Sequence, residues 1–292
     1  IRRPPRSTQS RSSAASDVYK RQVFKGYIHS NMLVKKQLNM FATGLKVYGI
    51  TKTNIKKILI PIPPTIDEQS DIANTLSDVD ELIQSLSSLI VKKQDIKKGT
   101  TQTLLNPYEN GKLKDGWVIK KLGDFLKYEQ PTKYLVSSTE YKDNNNTAVL
   151  TAGKTFILGY TNEDFGIYKS GLPVIIFDDF TTASKFVDFP FKAKSSAMKI
   201  LKRRNEEVNL RFIFEVLQMI DYPLGGHKRH WIGEFQNLDI CVPNEKDEQS
   251  RIANILADMD EEISVLKTKL AKAQQIKQGM IQNLLTGKIR LI

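Results

Sequence analysis

A twenty-residue stretch of this chain recurs, with 13 of its 20 positions identical. DEQSDIANTLSDVDELIQSL at 67–86 and DEQSRIANILADMDEEISVL at 247–266 align without a gap at an offset of 180 residues. The likeness continues through Lys92/Lys272, Gln94/Gln274, Ile96/Ile276, Lys97/Lys277, Gly99/Gly279, Gln102/Gln282, Leu104/Leu284 and Leu105/Leu285. Roughly half of the positions from Asp67 to Leu105 are matched by an identical residue. Each copy follows an Ile-rich run and a proline, KILIPIPP at 57–64 and LDICVPN at 238–244. Chance does not supply this, and a duplicated unit demands a fold with two equivalent elements.

Both copies read as long helices. Asp67/Glu68 and Asp247/Glu248 stand in the first turn, where carboxylates favour the positive end of the helix dipole. Apolar residues then recur at alternating steps of four and three: Ile72, Leu76, Val79, Ile83, Leu86 and Ile90 in one copy, Ile252, Leu256, Met259, Ile263, Leu266 and Leu270 in the other. A 3.5-residue repeat makes a narrow seam that stays turned toward one partner helix. About 40 residues at 1.5 Å each span on the order of 60 Å. The economical expectation is that the two copies pack on one another as an antiparallel coiled coil, ending or bending near Gly99, Gly279 and Gly287. Identical polar positions (Gln69, Asn74, Asp78, Asp80 and their counterparts) are not explained by core packing alone. They suit a rigid spacer holding two similar modules.

The rest of the chain has a different character. Residues 107–116 (PYENGKLKDG) read as a linker, and 117–243 as a β-rich domain. Its short runs are Trp117–Ile119, Ala148–Leu150, Phe156–Leu158, Val174–Phe177, Lys185–Val187 and Leu238–Ile240, broken by Gly and Asn, with one helix over Asn205–Ile220. The fold class is therefore α+β: a β-rich domain plus two long helices. By the same offset, 23–63 is the end of an equivalent first domain, with a helix over 27–43 and a strand over Ile55–Ile60. On the order of 80 residues of that domain are expected to be missing, so the chain is read as a fragment.

Charge and cysteine content narrow the function classes. Lys+Arg number 44 against 32 Asp+Glu, a net charge of +12. Five of those charges belong to residues 1–22, which hold six basic residues and one acid. That Ser/Arg/Pro-rich stretch has no period and no apolar h-region. It is read as a disordered, adapter-derived segment, with a basic nucleic-acid-binding arm as the alternative, and not as a secretory signal. The remaining +7 suits a phosphate-binding surface. The single cysteine, Cys241, excludes an internal disulfide framework and fits a reducing, cytoplasmic compartment. The longest apolar runs, such as Val174–Phe177, fall far short of the ~18–20 residues of a membrane span.

The duplicated P-x-x-x-x-E-Q-x-x-I pattern leading into a heptad helix, together with a β-rich domain opening Trp117…KLGD (121–124), resembles the DNA specificity subunit of type I restriction–modification systems. The resemblance covers 23–292 and rests on both helix copies. It implies target-recognition domains held apart by an antiparallel coiled coil, each domain reading half of a bipartite double-stranded DNA sequence. Residues 23–63 then correspond to the C-terminal remnant of the first such domain, 64–106 to the central spacer helix, 117–243 to the second domain, and 244–292 to the distal spacer helix and tail. It further implies methyltransferase subunits docked on the helices, a motor-nuclease subunit joining them, and adenine methylation and restriction carried out by those partners. S-adenosylmethionine, Mg and ATP belong there, so this chain is expected to hold no catalytic residue, cofactor or metal. Truncated chains are also expected to pair as homodimers, so that two half-specificity units share a site.

Candidate DNA contacts follow from the basic residues of the β-rich domain. Gly225-Gly226-His227-Lys228-Arg229-His230-Trp231 is a flexible glycine start followed by four donors and an aromatic; Arg or Lys there reaches guanine O6/N7 or a phosphate. Lys202, Arg203 and Arg204 precede the helix and suit phosphate contact or plain solvation. Lys185, Lys192 and Lys194 surround Phe186–Phe191. An enzyme finds little support: there is no G-x-G and no Walker loop, Asn106-Pro107-Tyr108 lacks the second proline of an adenine pocket, and Asp178-Asp179 has no partner cluster. Two alternatives stand beside the specificity subunit: a stand-alone DNA-modifying or DNA-cleaving enzyme fragment, and a coiled-coil assembly protein without a DNA role.

Overall fold

In the computed structural model, residues 22–43, 49–153, 155–222 and 230–291 are described. Two compact units are present: Ile1–Asp95 with Glu261–Ile292, and Ile96–Asp260. The residues of each long helix are divided between them. The fold is α+β.

The first unit gathers helices. α1 spans 22–28, α2 Met32–Phe41 and the short α3 Lys52–Ile55; α4, Ile66–Leu104, and α7, Lys246–Leu284, contribute their N-terminal and C-terminal parts respectively. Phe24, Ile72, Ala73 and Leu76 pack with Ile281, Leu284 and Leu285. Asp80 accepts from Lys277 and from the Tyr27 hydroxyl at 2.7 Å, while Lys93 pairs with Glu262 at 2.7 Å. Advancing along α4 thus retreats along α7, which is antiparallel pairing within this unit. The helix expected over 27–43 is instead two helices, because Asn31 caps α2: its side chain accepts from Leu33 N at 2.8 Å and donates to Leu285 O at 2.7 Å. The strand expected over Ile55–Ile60 does not form, and α3 occupies its start. A strand needs a ladder partner; here the Gln37 amide makes both hydrogen bonds to Leu59, each at 2.8 Å.

The second unit is layered. Strands β1 (Tyr108–Glu109) and β2 (Lys112–Leu113) form a hairpin; β3 (Trp117–Lys121) pairs with β11 (Asp239–Pro243). Between them lie α5 (Leu122–Phe125), β4 (Leu126–Glu129), β5 (Thr147–Leu150), β6 (Ile157–Thr161), β7 (Val174–Asp178), β8 (Ser184–Val187), β9 (Phe191–Ala193), β10 (Met198–Arg203) and α6 (Leu210–Met219). An antiparallel sheet runs β4-β10-β7-β8, and a second sheet runs β6-β5-β9. Alternate residues of β7 and β10 serve opposite faces. Ile175, Phe177 and Leu201 meet Phe212, Ile213 and Leu217 of α6, with Trp231, Phe235 and the Ile252, Ala253 and Leu256 side chains of α7. Val174, Ile176, Met198 and Ile200 meet Ala148, Leu150, Phe191 and Ala193 of the second sheet. Burial on both faces explains why Val174–Phe177 reads as a continuous apolar run.

Of the twelve seam residues, Ile72, Leu76, Ile90, Ile252, Leu256 and Ile263 are buried; Val79, Ile83, Leu86, Met259, Leu266 and Leu270 are half-buried. Both helices continue through Gly99 and Gly279, correcting the ends expected there, and α7 ends three residues before Gly287. A mid-helix glycine costs about 1 kcal/mol relative to alanine. The last turns offset this by delivering Leu104 and Leu105 to one core and Leu284 and Leu285 to the other.

Candidate nucleic-acid interface

Two sets of residues singled out from sequence lie at opposite ends of β10: Lys202, Arg203 and Arg204 at one end, and His230 with Trp231, through Asp179, at the other. Because β10 pairs with β4 and β7, Met198 lies beside Asp178 and Arg203 beside Leu126. Five residue steps at about 3.3 Å put roughly 17 Å between the two ends.

At the far end, Lys202, Arg203 and Arg204 border a cleft of about 290 Å³ that is also lined by Lys127, Gly171, Leu172, Pro173, Asn205, Leu210 and one acid, Glu206. Lys127, which sequence reasoning missed, is brought there by its register opposite Lys202. Lys202 is bound to Glu129 at 2.5 Å, Arg203 to the exposed Glu206 at 2.8 Å, and Arg204 Nε donates to Gly123 O at 2.8 Å. Partial burial alone would raise the Glu129 carboxyl, but hydrogen bonds from Lys202 and the Tyr134 hydroxyl hold it below its ordinary value. The cleft is therefore a cationic rim with its charges fixed by salt bridges, suited to an anion such as a phosphodiester.

At the near end, His230 and Trp231 are fastened to the turn after β7: His230 N donates to Asp179 O and Trp231 N to Asp179 Oδ1, each at 2.9 Å. His230 is wholly buried, with Nδ1 2.9 Å from Glu234, and is removed from the set of DNA contacts. His227, Lys228 and Arg229 lie outside the described residues. Lys185 is exposed on β8, and Lys194, half-buried, sits 5.7 Å over the Tyr141 ring.

Lys192 corrects the sequence reading. It has no exposed surface, pairs with Glu163 at 2.5 Å, donates to Phe165 O at 2.7 Å and lies 4.1 Å from the Phe165 ring centroid. It ties a loop to the sheet and has no reach to a phosphate. Burial pulls the Glu163 carboxyl up, but Lys192 and the backbone N–H groups of Ser138 and Ser137 bring it below its ordinary value. Lys199, also missed, is wholly buried beside Asp179 at 3.4 Å and over the Tyr128 ring at 5.1 Å. Burial of both lysines depends on acids 29 and 20 residues away, and no local pattern reveals it.

A duplicated long helix joined to a layered sheet domain with a cationic cleft defines a scaffold that presents a binding module. The chain belongs to the type I restriction modification DNA specificity domain family, whose model matches residues 15–93 and 114–275. Over 138 residues it is 51% identical to the type I restriction enzyme EcoR124I/EcoR124II specificity subunit of Escherichia coli, a match covering 45% of this chain and 34% of that protein. Over 285 residues it is 26% identical to the putative type I restriction enzyme MjaX specificity subunit of Methanocaldococcus jannaschii, covering 88% and 66%. The chain thus spans about a third and about two-thirds of the lengths of these two relatives. The crystal structure of the type-I restriction-modification system S subunit from M. genitalium shares the fold, with a TM-score of 0.65 at 17% identity over 90% of this chain and 72% of that one. Among the described residues no helix is long and apolar enough to cross a membrane.

Proposed function

We propose that this chain is a non-catalytic DNA specificity subunit. The Trp117–Pro243 domain binds double-stranded DNA and reads its sequence. The two long helices seat methyltransferase subunits, which methylate adenine near the site, and a motor-nuclease subunit joins them for restriction. S-adenosylmethionine, Mg and ATP act in those partners.

The observation that carries the DNA reading is the cleft rimmed by Lys127, Lys202, Arg203 and Arg204. Four cations around one concavity gain affinity by displacing counterions from phosphates. Some of the recurring residues have an internal task and others have none, and the second set supports the docking reading. Gln69 and Gln249 each donate to the carbonyl of the proline six residues back, at 2.9 Å in both copies, and Asp80 and Asp260 each accept from a lysine of the other helix. Asn74/Asn254, Asp78/Asp258 and Glu81/Glu261 are identical and exposed in both copies, and their side chains make no hydrogen bond or ion pair among the described residues. Ile96 and Ile276 are exposed in both as well. Equal exposed residues on two helices fit two copies of one partner.

The test is gel-shift titration of the purified chain on duplex DNA, alone and with the methyltransferase subunits of its system. Binding by the chain, a supershift with the subunits, and methyl transfer only in their presence are expected. Methyl transfer or Mg-dependent cleavage by the chain alone would make it an enzyme, and no binding even at low salt would leave only an assembly role.

A further inference from the structure

The turn joining β7 to β8 presents an aromatic ring, and its construction is costly. Phe180 stands at the tip with 38% of its surface exposed. Asp178 builds the turn: its Oδ1 accepts from Phe180 N at 2.9 Å and Thr181 N at 3.3 Å, and its carbonyl accepts from Thr182 N at 2.9 Å. Thr182 takes φ +58°, the left-handed region that a β-branched residue adopts only under constraint. Asp179, beside the tip, is turned inward and buried, with Lys199 at 3.4 Å; Lys199 is itself fully buried and makes no hydrogen bond among the described residues. A buried ion pair is weak evidence for stability, since apolar residues of similar volume often do as well. Here it anchors a strained turn whose outermost side chain packs on solvent.

Asp179 also fixes what lies next to that ring. His230 N and Trp231 N bond to it at 2.9 Å each. The loop following β9, with exposed Ser195 and Ser196, comes to the same edge, because Asp179 N reaches Ala197 O at 3.4 Å. An apolar ring partly exposed at the tip of a turn, with short polar side chains nearby, is the kind of side chain that proteins wedge into a base step of a duplex.

We propose that Phe180 is a DNA-contacting wedge, which the Asp178–Asp179–Lys199 assembly holds against a base step of the bound duplex. This rests on the reading that the domain binds double-stranded DNA. The test uses the full chain on a random-sequence duplex of about 30 bp, the length of a typical bound site. Phe180→Ala is expected to weaken binding about tenfold, the scale of one lost base–aromatic stack, with an unchanged salt slope because no phosphate contact is removed. Phe180→Leu, which keeps an apolar wedge, should lose less. Phe180→Trp should show a tryptophan signal quenched by duplex and shielded from acrylamide, over the background of Trp117 and Trp231. Because most of the Phe180 surface is covered, the melting temperature of each variant is measured alongside, and where Phe180→Ala melts early Phe180→Leu serves as the comparison. If the unchanged chain binds DNA but Phe180→Ala matches it within twofold and the Phe180→Trp signal ignores duplex, the wedge is refuted and the DNA-binding reading stands. If the unchanged chain binds no duplex, both fall.

Discussion

Leu76 and Leu256 occupy the same place in the two copies of the repeat and both are fully buried, whereas Leu82, six residues after Leu76 on α4, is 51% exposed. The heptad argument makes a sharp claim about these three leucines. Truncation to alanine removes the equivalent of three methylenes, about 2.4 kcal/mol at 0.8 kcal/mol each. A cavity contribution brings a fully enclosed site to roughly 3–4 kcal/mol. Leu76→Ala and Leu256→Ala are therefore each expected to cost about 3 kcal/mol, and Leu82→Ala less than about 0.5 kcal/mol. Urea titration reads Leu256→Ala through tryptophan fluorescence, because Trp117 and Trp231 both belong to Ile96–Asp260. Leu76→Ala, in the other unit, is read by amide exchange along Ile72–Leu76. Equal losses at Leu76 and Leu82, or a cost below about 1 kcal/mol at either buried site, would refute the seam assignment.

Further expectations concern the recognition domain. Lys192→Ala should cost about 3 kcal/mol in urea unfolding, because it leaves the Glu163 carboxylate without its buried partner; unchanged stability with weakened DNA binding would return Lys192 to the interface. Lys127→Ala combined with Arg203→Ala should weaken duplex binding by a similar factor on every sequence and lower the salt slope by about two, one for each phosphate contact; a loss confined to some sequences would make the cleft a base reader. Tyr168 has a buried hydroxyl without a hydrogen bond among the described residues, and burial first, then the charge of Glu129, pushes its pKa up to about 12. Ionisation above pH 10 is then easier in the unfolded chain, so the native protein should lose stability as pH rises from 10 toward about 12. Tyr168→Phe should be at least as stable at neutral pH and lack that alkaline loss, and parallel pH profiles for the two proteins would contradict the sign. Burial raises the Glu215 carboxyl despite Lys97 and Arg211 beside it. Its own contribution to stability should accordingly fall as pH climbs above 4.5, so Glu215→Gln should gain stability relative to the unchanged chain over that rise in pH-dependent thermal melts.

The repeat and its period were legible because they are local: the helices, the seam and the proline before each helix can be read in the order of the residues. Six of the strands in the Trp117–Pro243 domain were marked by β-branched runs. β4, β9 and β10 were not, and the reason is visible in β10, whose sequence MKILKR looks like a charged surface stretch. Lys199 is buried only because Asp179 waits across the sheet, and Lys192 in β9 only because Glu163 does. The same pairing misled the reading of the site. A lysine in sequence advertises a surface cation, and which lysine is spent inside the domain is settled by tertiary partners. Asn205–Ile220 illustrates a smaller error: the helix begins at Leu210, since Asn209 accepts from Phe212 N at 3.0 Å and caps it there.

What the two copies share and where they part bears on how such a scaffold evolves. Residues 71–80 and 251–260 show the same sequence of buried, half-buried and exposed positions without a single difference. The ion pairs Asp80–Lys277 and Asp260–Lys97 map onto each other under the 180-residue offset. The second partner of each aspartate does not. Asp80 takes the Tyr27 hydroxyl, whereas Asp260 takes Arg211 at 2.5 Å, which in turn holds the buried Glu215 at 2.9 Å. Tyr27 and Arg211 come from segments outside the duplicated helices. Contact of helix with helix has therefore been kept, while contact between a helix and its neighbouring domain has been rebuilt with different chemistry around one fixed carboxylate. A carboxylate that accepts either a phenol or a guanidinium lets the segment packed beside each helix differ while the helix-to-helix ion pair stays the same.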